Sequence, residues 1–341
     1  MTDFALLAVV TRGDVNESHH LGDLVIADAD GKLLLATGNP ERVAYFRSSQ
    51  KPLQALAVVQ TGAADRFGLT ETELSICCAS HSGSRMHVET VQGILAKLGL
   101  DEAALQCGVH DPGDSEERLR LTGAGKRPSP LHNNCSGKHA GMLASTRALD
   151  APVESYLDRD HPLQRLIARN VATMTGLPEA RFAWGADGCG APVIAVPLTA
   201  MATAYARLAN PSDLPDDLRA AATRVVAAMA FAPDMVSAPG AFNSELLAAG
   251  EGRLVAKGGA EGAFLVGLRD PRRLGIAMKI ADGSGRPLSA ITLAALEAVG
   301  GLSPTAAGRL KRFRRPPIHN CHGTHVGDVV AALKLEAIAH E

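Results

Sequence analysis

A hydroxyl at Ser48 and an amine at Lys51 stand three residues apart in Arg47-Ser48-Ser49-Gln50-Lys51-Pro52. A serine oxygen becomes a useful nucleophile when a base takes its proton, and a neutral lysine amine can be that base. Pro52 fits only the first turn of a helix, where a missing N–H leaves no bond unmade. The helix therefore starts within a residue or two of Ser48 and runs through the uncharged residues 53–59. Residues three apart share a helix face, so the two groups can meet. The apolar continuation predicts a buried, central helix whose positive N-terminal end favours a developing oxyanion.

Alone, Ser-x-x-Lys equally describes a serine cap followed by a surface lysine. Four further clusters, each flanked by glycine, add weight. Ser80-His81-Ser82-Gly83 follows a predicted helix. Asn133-Asn134-Cys135-Ser136-Gly137-Lys138-His139-Ala140-Gly141-Met142 joins a polar loop to another helix. Asp187-Gly188-Cys189-Gly190 precedes an apolar run, and Lys257-Gly258-Gly259-Ala260-Glu261-Gly262 follows a strand. In the last cluster a cation at a strand end is followed by glycines, which let a substrate approach the backbone and meet its N–H donors. This arrangement resembles the Lys-Thr-Gly element that accompanies Ser-x-x-Lys in β-lactamases and penicillin-binding enzymes, in the same chain order.

Cys135 and Cys189 sit among polar residues and glycine, unlike Cys77 and Cys78, which read as small buried hydrophobes. Cys135, with Lys138 or His139, and Cys189 can supply a soft, largely closed zinc site. Isolated cysteines specify a metal less sharply than paired Cys-x-x-Cys motifs. His19-His20 and the histidines from His319 to His325 read as loop residues, the latter able to bind metal adventitiously with Cys321. Gly123-Ala124-Gly125-Lys126 lacks the upstream glycine and the hydroxyl of a P-loop.

These groups need a scaffold. The chain has 341 residues, enough for two domains or one large two-lobed domain. Its 34 basic and 36 acidic residues nearly cancel, and aromatics are 4%, so neither a nucleic-acid groove nor an anionic membrane surface is indicated. The N-terminal residues read as a strand rather than a signal peptide, which leads us to expect a cytoplasmic protein with reduced thiols. Strands are predicted over residues 4–11, 24–29, 33–37 and 43–46, with Asp30-Gly31 as a hairpin turn. Helices are predicted over 71–79, opened by the Thr70–Glu73 capping box, and over 84–98, capped by Ser84. Further helices are predicted over 138–149, 162–175, 198–209 and 214–230. Residues 108–130 read as an irregular polar excursion. After Gly250, strands at 253–256, 263–267 and 274–280 give way to helices at 288–299 and 305–313 and a strand at 326–331. The expectation is an α+β fold, with a sheet from about 1–46 and 250–341 and a mainly helical stretch over 47–249.

Taken together, the five ordered motifs resemble the bacterial asparaginases of the Rhizobium etli inducible type, over nearly the whole chain. That resemblance implies a serine β-lactamase-like fold, a homodimer, and hydrolysis of L-asparagine to L-aspartate and ammonia. It implies two Ser–Lys tandems, Ser48 with Lys51 and Ser80 with Lys257. It also implies zinc held by Cys135, Lys138, Cys189 and water. A lysine ligand is unusual, because an amine that ordinarily titrates near pH 10.4 must lose its proton; His139 is the ordinary choice and stands second. By charge, Arg47 and Asp187 suit the substrate's α-carboxylate and α-amino group, and backbone N–H groups at Gly258 and Gly259 suit the oxyanion. Two rival readings are a penicillin-binding or β-lactam-hydrolysing enzyme, and a non-catalytic zinc-binding protein.

Overall fold

The structure is a computed structural model and describes residues 4–337. Its strands are β1 (Ala5–Arg12), β2 (Val15–Asp28), β3 (Leu33–Thr37), β4 (Val43–Tyr45), β5 (Ala183–Ala186), β6 (Pro192–Pro197), β7 (Leu254–Gly259), β8 (Ala263–Leu268), β9 (Leu274–Ile280), β10 (Pro317–His319), β11 (His325–Ala331) and β12 (Glu336–Ala337). The chain divides into two compact units. One gathers the residues up to Ser49, Ala195–Asn210 and those from Ala249 onward; the other holds Gln50–Ile194 and Pro211–Ala248.

In the first unit the strands run antiparallel in the order β10-β11-β1-β2-β9-β8-β7, with β3 on β2 and β12 on β3. The 14-residue β2 serves three partners: its first part pairs with β1, and its buried second part pairs with both β3 and β9. All six residues of β8 are buried, so this strand is apolar throughout rather than alternating. The helix Leu198–Ala209 packs on β8 and β9. Gly275 allows that approach, since a Cβ there would stand 1.8 Å from the Ala202 carbonyl oxygen.

The second unit is mainly helical. A 3₁₀ turn over Arg47–Gln50 leads into the helix Lys51–Gln60, with Pro52 in its first turn. Residues Lys51 to Val58 are all buried, and the helix packs against Asp216–Phe231, Ser136–Ala148 and Pro162–Thr175. Truncating Leu53 or Leu56, both fully buried, to alanine would cost about 2–5 kcal/mol. The helix Ser136–Ala148 lies close on Glu71–Cys77: a Cβ at Gly137 would meet the Ile76 carbonyl oxygen at 2.4 Å, and one at Gly141 would meet Cys77 Sγ at 2.7 Å. These two glycines therefore explain themselves by packing, and they fix where Cys135 and Lys138 project.

The α+β class and the antiparallel sheet built from both chain ends match the expectation; several details do not. The middle of the chain also contains strands, and β4 pairs with the end of β6, Ala44 facing Val196, instead of joining the large sheet. The excursion over 108–130 contains a helix, Ser115–Gly123, capped by Asp114; its charged sequence hides the pattern because only Glu117 and Leu121 are buried. Ser84 occupies a cap position, but its hydroxyl hydrogen-bonds His87 Nδ1 (2.6 Å) rather than the backbone. The helix expected over 305–313 breaks at Leu310 into Pro304–Arg309 and Lys311–Arg314. A helix at Phe242–Gly250 was not expected. Among the described residues, no helix is long and apolar enough to cross a membrane.

Candidate active site

In the first unit the Ser48 turn is shaped by backbone. Arg47 adopts a left-handed conformation (φ 51°), unusual for a residue with a side chain. Ser49 is fully buried and its hydroxyl donates to the Phe46 carbonyl at 2.5 Å, while its own carbonyl accepts from the buried Tyr205 hydroxyl at 2.6 Å. Ser48, half-buried, is the accessible hydroxyl of the pair. Lys257 lies on β7, the end strand of the sheet; it is 2% exposed and its ammonium donates to the Gly258 carbonyl at 2.6 Å. A Cβ on Gly259 would stand 2.8 Å from the Phe46 carbonyl oxygen and 3.3 Å from Arg47 Cβ, so a glycine is needed where β7 backs the serine turn. Arg47, Ser48, Lys257, Gly258 and Gly259 thus belong to one neighbourhood.

In the second unit a separate group of candidates is made of side chains. Lys51 is 1% exposed, and its Nζ donates to the Ala79 carbonyl and, at 2.9 Å, to the Ser80 hydroxyl. The resemblance implies a tandem of Ser80 with Lys257; here Lys51 is a donor to Ser80. Next along the chain, His81 Nδ1 accepts from the Gly83 N–H (3.1 Å), which leaves the proton on Nε2 to donate to Ser136 Oγ (2.9 Å). Ser136 in turn donates to the Leu131 carbonyl (2.8 Å). Burial, helped by the facing His87 and by Lys51, holds His81 well below the usual imidazole range, so the relay is neutral.

Cys135, Lys138 and Cys189 also come together in this unit. Lys138 Nζ donates to Cys189 Sγ at 2.8 Å. The hydrogen bond from Cys189 holds the Cys135 thiol well below its usual range; burial opposes this, and the charges of Lys51 and Lys138 assist. Cys189 is correspondingly raised, by that same hydrogen bond and by burial. Burial pulls Lys138 down, but Cys135, Cys189 and Asp187 outweigh it and raise the amine. The cluster thus sets two sulfurs against one amine, and the pair of thiols shares the lowering and raising between them. With both thiols ionised and the amine neutral, a dication would be balanced in charge, so these donors fit zinc in chemistry. The turn that carries Cys189 is closed by the Asp187 N–H on the Ala191 carbonyl and the Gly190 N–H on the Asp187 carbonyl, each 2.9 Å.

His139, the second choice as ligand, is engaged elsewhere. The Tyr156 hydroxyl accepts from the Gln106 N–H (3.0 Å) and shares a hydrogen bond with His139 Nδ1 (2.6 Å). The remaining ring nitrogen, Nε2, is buried without a hydrogen-bond partner. Lys138, whose Nζ lies on Cys189 Sγ, is favoured over His139, whose Nδ1 is taken by Tyr156. Among the described residues, no group of three or more His, Cys, Asp or Glu is placed to hold a metal ion. The His81–Ser136 relay and Tyr156 were not singled out from sequence. His81 stood inside a quoted motif, but Tyr156 has no local signal, because its partners lie at Gln106 and His139.

The chain belongs to the L-asparaginase II family, whose model matches residues 8–331. It is thus a hydrolase of the L-asparaginase type. No curated protein sequence matched it. Among solved structures it is similar to a β-lactamase from Mycobacterium bovis, at 15% identity and a TM-score of 0.42, covering 81% of this chain and 94% of that one. It is also similar to a Bacillus glutaminase, at 14% identity and a TM-score of 0.35, covering 85% and 89%.

Proposed function

We propose that the protein hydrolyses the side-chain amide of L-asparagine through an acyl-enzyme on Ser48. Ser48 Oγ attacks the amide carbon while Lys51, in its neutral form, takes the hydroxyl proton. Backbone N–H groups at Gly258 and Gly259 face the developing oxyanion. Collapse of the adduct breaks the C–N bond as the leaving nitrogen takes a proton through Ser80 and Lys257, and ammonia departs. Water then attacks the ester as Ser80 and Lys257 take up its proton, the Ser48 oxygen leaves with the proton held on Lys51, and aspartate is released. Arg47 binds the α-carboxylate and Asp187 the α-ammonium. Zinc held by Cys135, Lys138 and Cys189 would supply a fixed positive charge that orders the pocket. The homodimer implied by the resemblance belongs to the same reading.

The observation that carries this reading is the buried Lys51 amine on the Ser80 hydroxyl, beside the Cys135–Lys138–Cys189 cluster, in a chain of this family. That same hydrogen bond favours a second assignment of the bases, in which Lys51 serves Ser80 and Lys257 serves Ser48. Purified protein incubated with L-asparagine should release ammonia and aspartate in equal amounts. Absence of ammonia from zinc-replete protein would overturn the reading, and β-lactam hydrolysis in its place would favour the penicillin-binding alternative.

A further inference from the structure

We infer that the hairpin of β10 and β11 is a metal site of its own, in which His319 and His325 bind one divalent transition-metal ion of the Cu²⁺, Ni²⁺ or Zn²⁺ type. It lies within the first unit, shares no residue with the Cys135–Lys138–Cys189 cluster and does not depend on the proposed reaction.

His319 and His325 face each other across the hairpin, so their side chains leave the same side of it. The turn between them is closed by several bonds. Asn320 Oδ1 accepts from the N–H groups of His322 (3.0 Å) and Thr324 (2.9 Å), and the Asn320 N–H donates to the Thr324 carbonyl (3.0 Å). Beyond His325 the strand is anchored to β1. The Asp328 N–H donates to Thr11 Oγ1 (3.0 Å), and a Cβ on Gly327 would stand 1.9 Å from the Thr11 carbonyl oxygen. Hydrogen-bonded backbone thus presents both rings, and little ordering is left to do when an ion joins them.

The ring centroids lie 5.9 Å apart, with the planes at 65°. With metal–nitrogen bonds of about 2.0–2.1 Å an ion sits about 3.2 Å from each centroid, so two imidazoles sharing it at a tetrahedral or wider angle stand about 5–6 Å apart. The observed separation needs no backbone movement.

Asp328 settles which nitrogen of His325 is open. An ionised carboxylate only accepts; Asp328 Oδ2 accepts from Arg315 (2.8 Å), and Oδ1 accepts the proton of His325 Nε2 (2.8 Å). The neutral ring then keeps its lone pair on Nδ1, the atom a metal takes. A carboxylate on the far nitrogen of a ligating histidine fixes its tautomer and raises its basicity. His319 is exposed, and among the described residues its ring nitrogens have no hydrogen-bond partner. Two imidazoles leave the other coordination positions to water, and such nitrogen donors select Cu²⁺, Ni²⁺ or Zn²⁺ over Mg²⁺ or Ca²⁺. The exposed thiol of Cys321, in the same turn, is the rival donor.

The test is equilibrium dialysis of zinc-loaded protein, first dialysed against metal-free buffer, against NiCl₂ up to about 1 mM, with nickel and zinc per chain read by elemental analysis. The parent should take up one nickel per chain with its tightly held zinc unchanged, and Cys135→Ala should take up the same nickel. His319→Ala and His325→Ala should each remove that nickel and leave ammonia release unchanged. Asp328→Asn should weaken nickel binding about tenfold or more, and Cys321→Ser should leave it in place. No nickel uptake by the parent, or uptake that survives in the His319→Ala/His325→Ala double variant, would overturn the inference. Nickel lost with Cys321→Ser but kept with His319→Ala would make this a thiol site, and nickel lost with Cys135→Ala would place the ion in the cysteine cluster; either result would also overturn it.

Discussion

The two units carry their candidate functional residues by different means. Around Ser48 the determinants are backbone: a left-handed Arg47, a Gly259 that admits no Cβ, and an end strand carrying Lys257. Around Lys51 they are side chains: an amine on Ser80, a neutral histidine relay to Ser136, and a lysine on the Cys189 sulfur. A backbone-built neighbourhood should fail sharply when a methyl group is added. A side-chain-built one should fail when a proton, a charge or a donor is removed.

The largest effect is expected at Lys51. Lys51→Met removes the buried amine while keeping most of its bulk, and should lower kcat by about 10³-fold or more, read as ammonia release under saturating asparagine. Turnover within tenfold of the parent would remove Lys51 from the proton chemistry. Gly259→Ala comes next. Its methyl meets the Phe46 carbonyl, so the serine turn must shift, and kcat/KM should fall by about 100-fold. Gly308→Ala, in the helix Pro304–Arg309 with open space around it, is the control and should change kcat/KM by less than about twofold.

A smaller and different response is expected at the metal donors. Cys135→Ala, or chelation of zinc, should raise KM for asparagine more than it lowers kcat, because an ordering charge acts on binding. Loss of turnover with unchanged KM would assign the metal to the chemical step instead, and absence of zinc from never-chelated protein would remove the site. The smallest effect concerns stability. The Glu117 side chain, 4% exposed, accepts from both Arg120 nitrogens (2.7 and 2.6 Å) and lies 3.3 Å from His132 Nε2. The Arg120 hydrogen bonds hold its carboxyl below the usual 4.5; burial opposes and His132 assists. A carboxyl depressed in the folded state stabilises fully above the unfolded value and loses that contribution as pH falls through the folded one. Glu117→Gln should therefore cost about 2 kcal/mol at pH 7, measured by denaturant unfolding, and the difference should shrink below about pH 4.5.

The same contrast explains what was readable in sequence. Ser-x-x-Lys with Pro52 announces a helix start because proline allows few alternatives, and the helix begins at Lys51 after a turn at Arg47. Periodic apolar runs gave the helices Pro162–Thr175 and Leu198–Ala209 to the residue. Ser115–Gly123 went unread because its charges mask a short buried face, and β4 was placed in the wrong sheet because a three-residue strand names no partner. Residue types offered Cys135, Lys138 or His139, and Cys189 as metal donors and the resemblance pointed to Lys138, but neither indicated that Lys51 donates to Ser80, since spacing within Ser48–Lys51 is silent about a partner 29 positions on.

The central claim is that Ser48 carries the acyl group. It is tested most directly by quenching the protein in acid during turnover of L-asparagine and mapping the modified peptide by mass spectrometry. The account predicts an aspartyl ester on Ser48, absent from Ser48→Ala, which should fold normally and lose several orders of magnitude in kcat, about 10⁴-fold or more. An ester on Ser80, or near-normal turnover by Ser48→Ala, would contradict it.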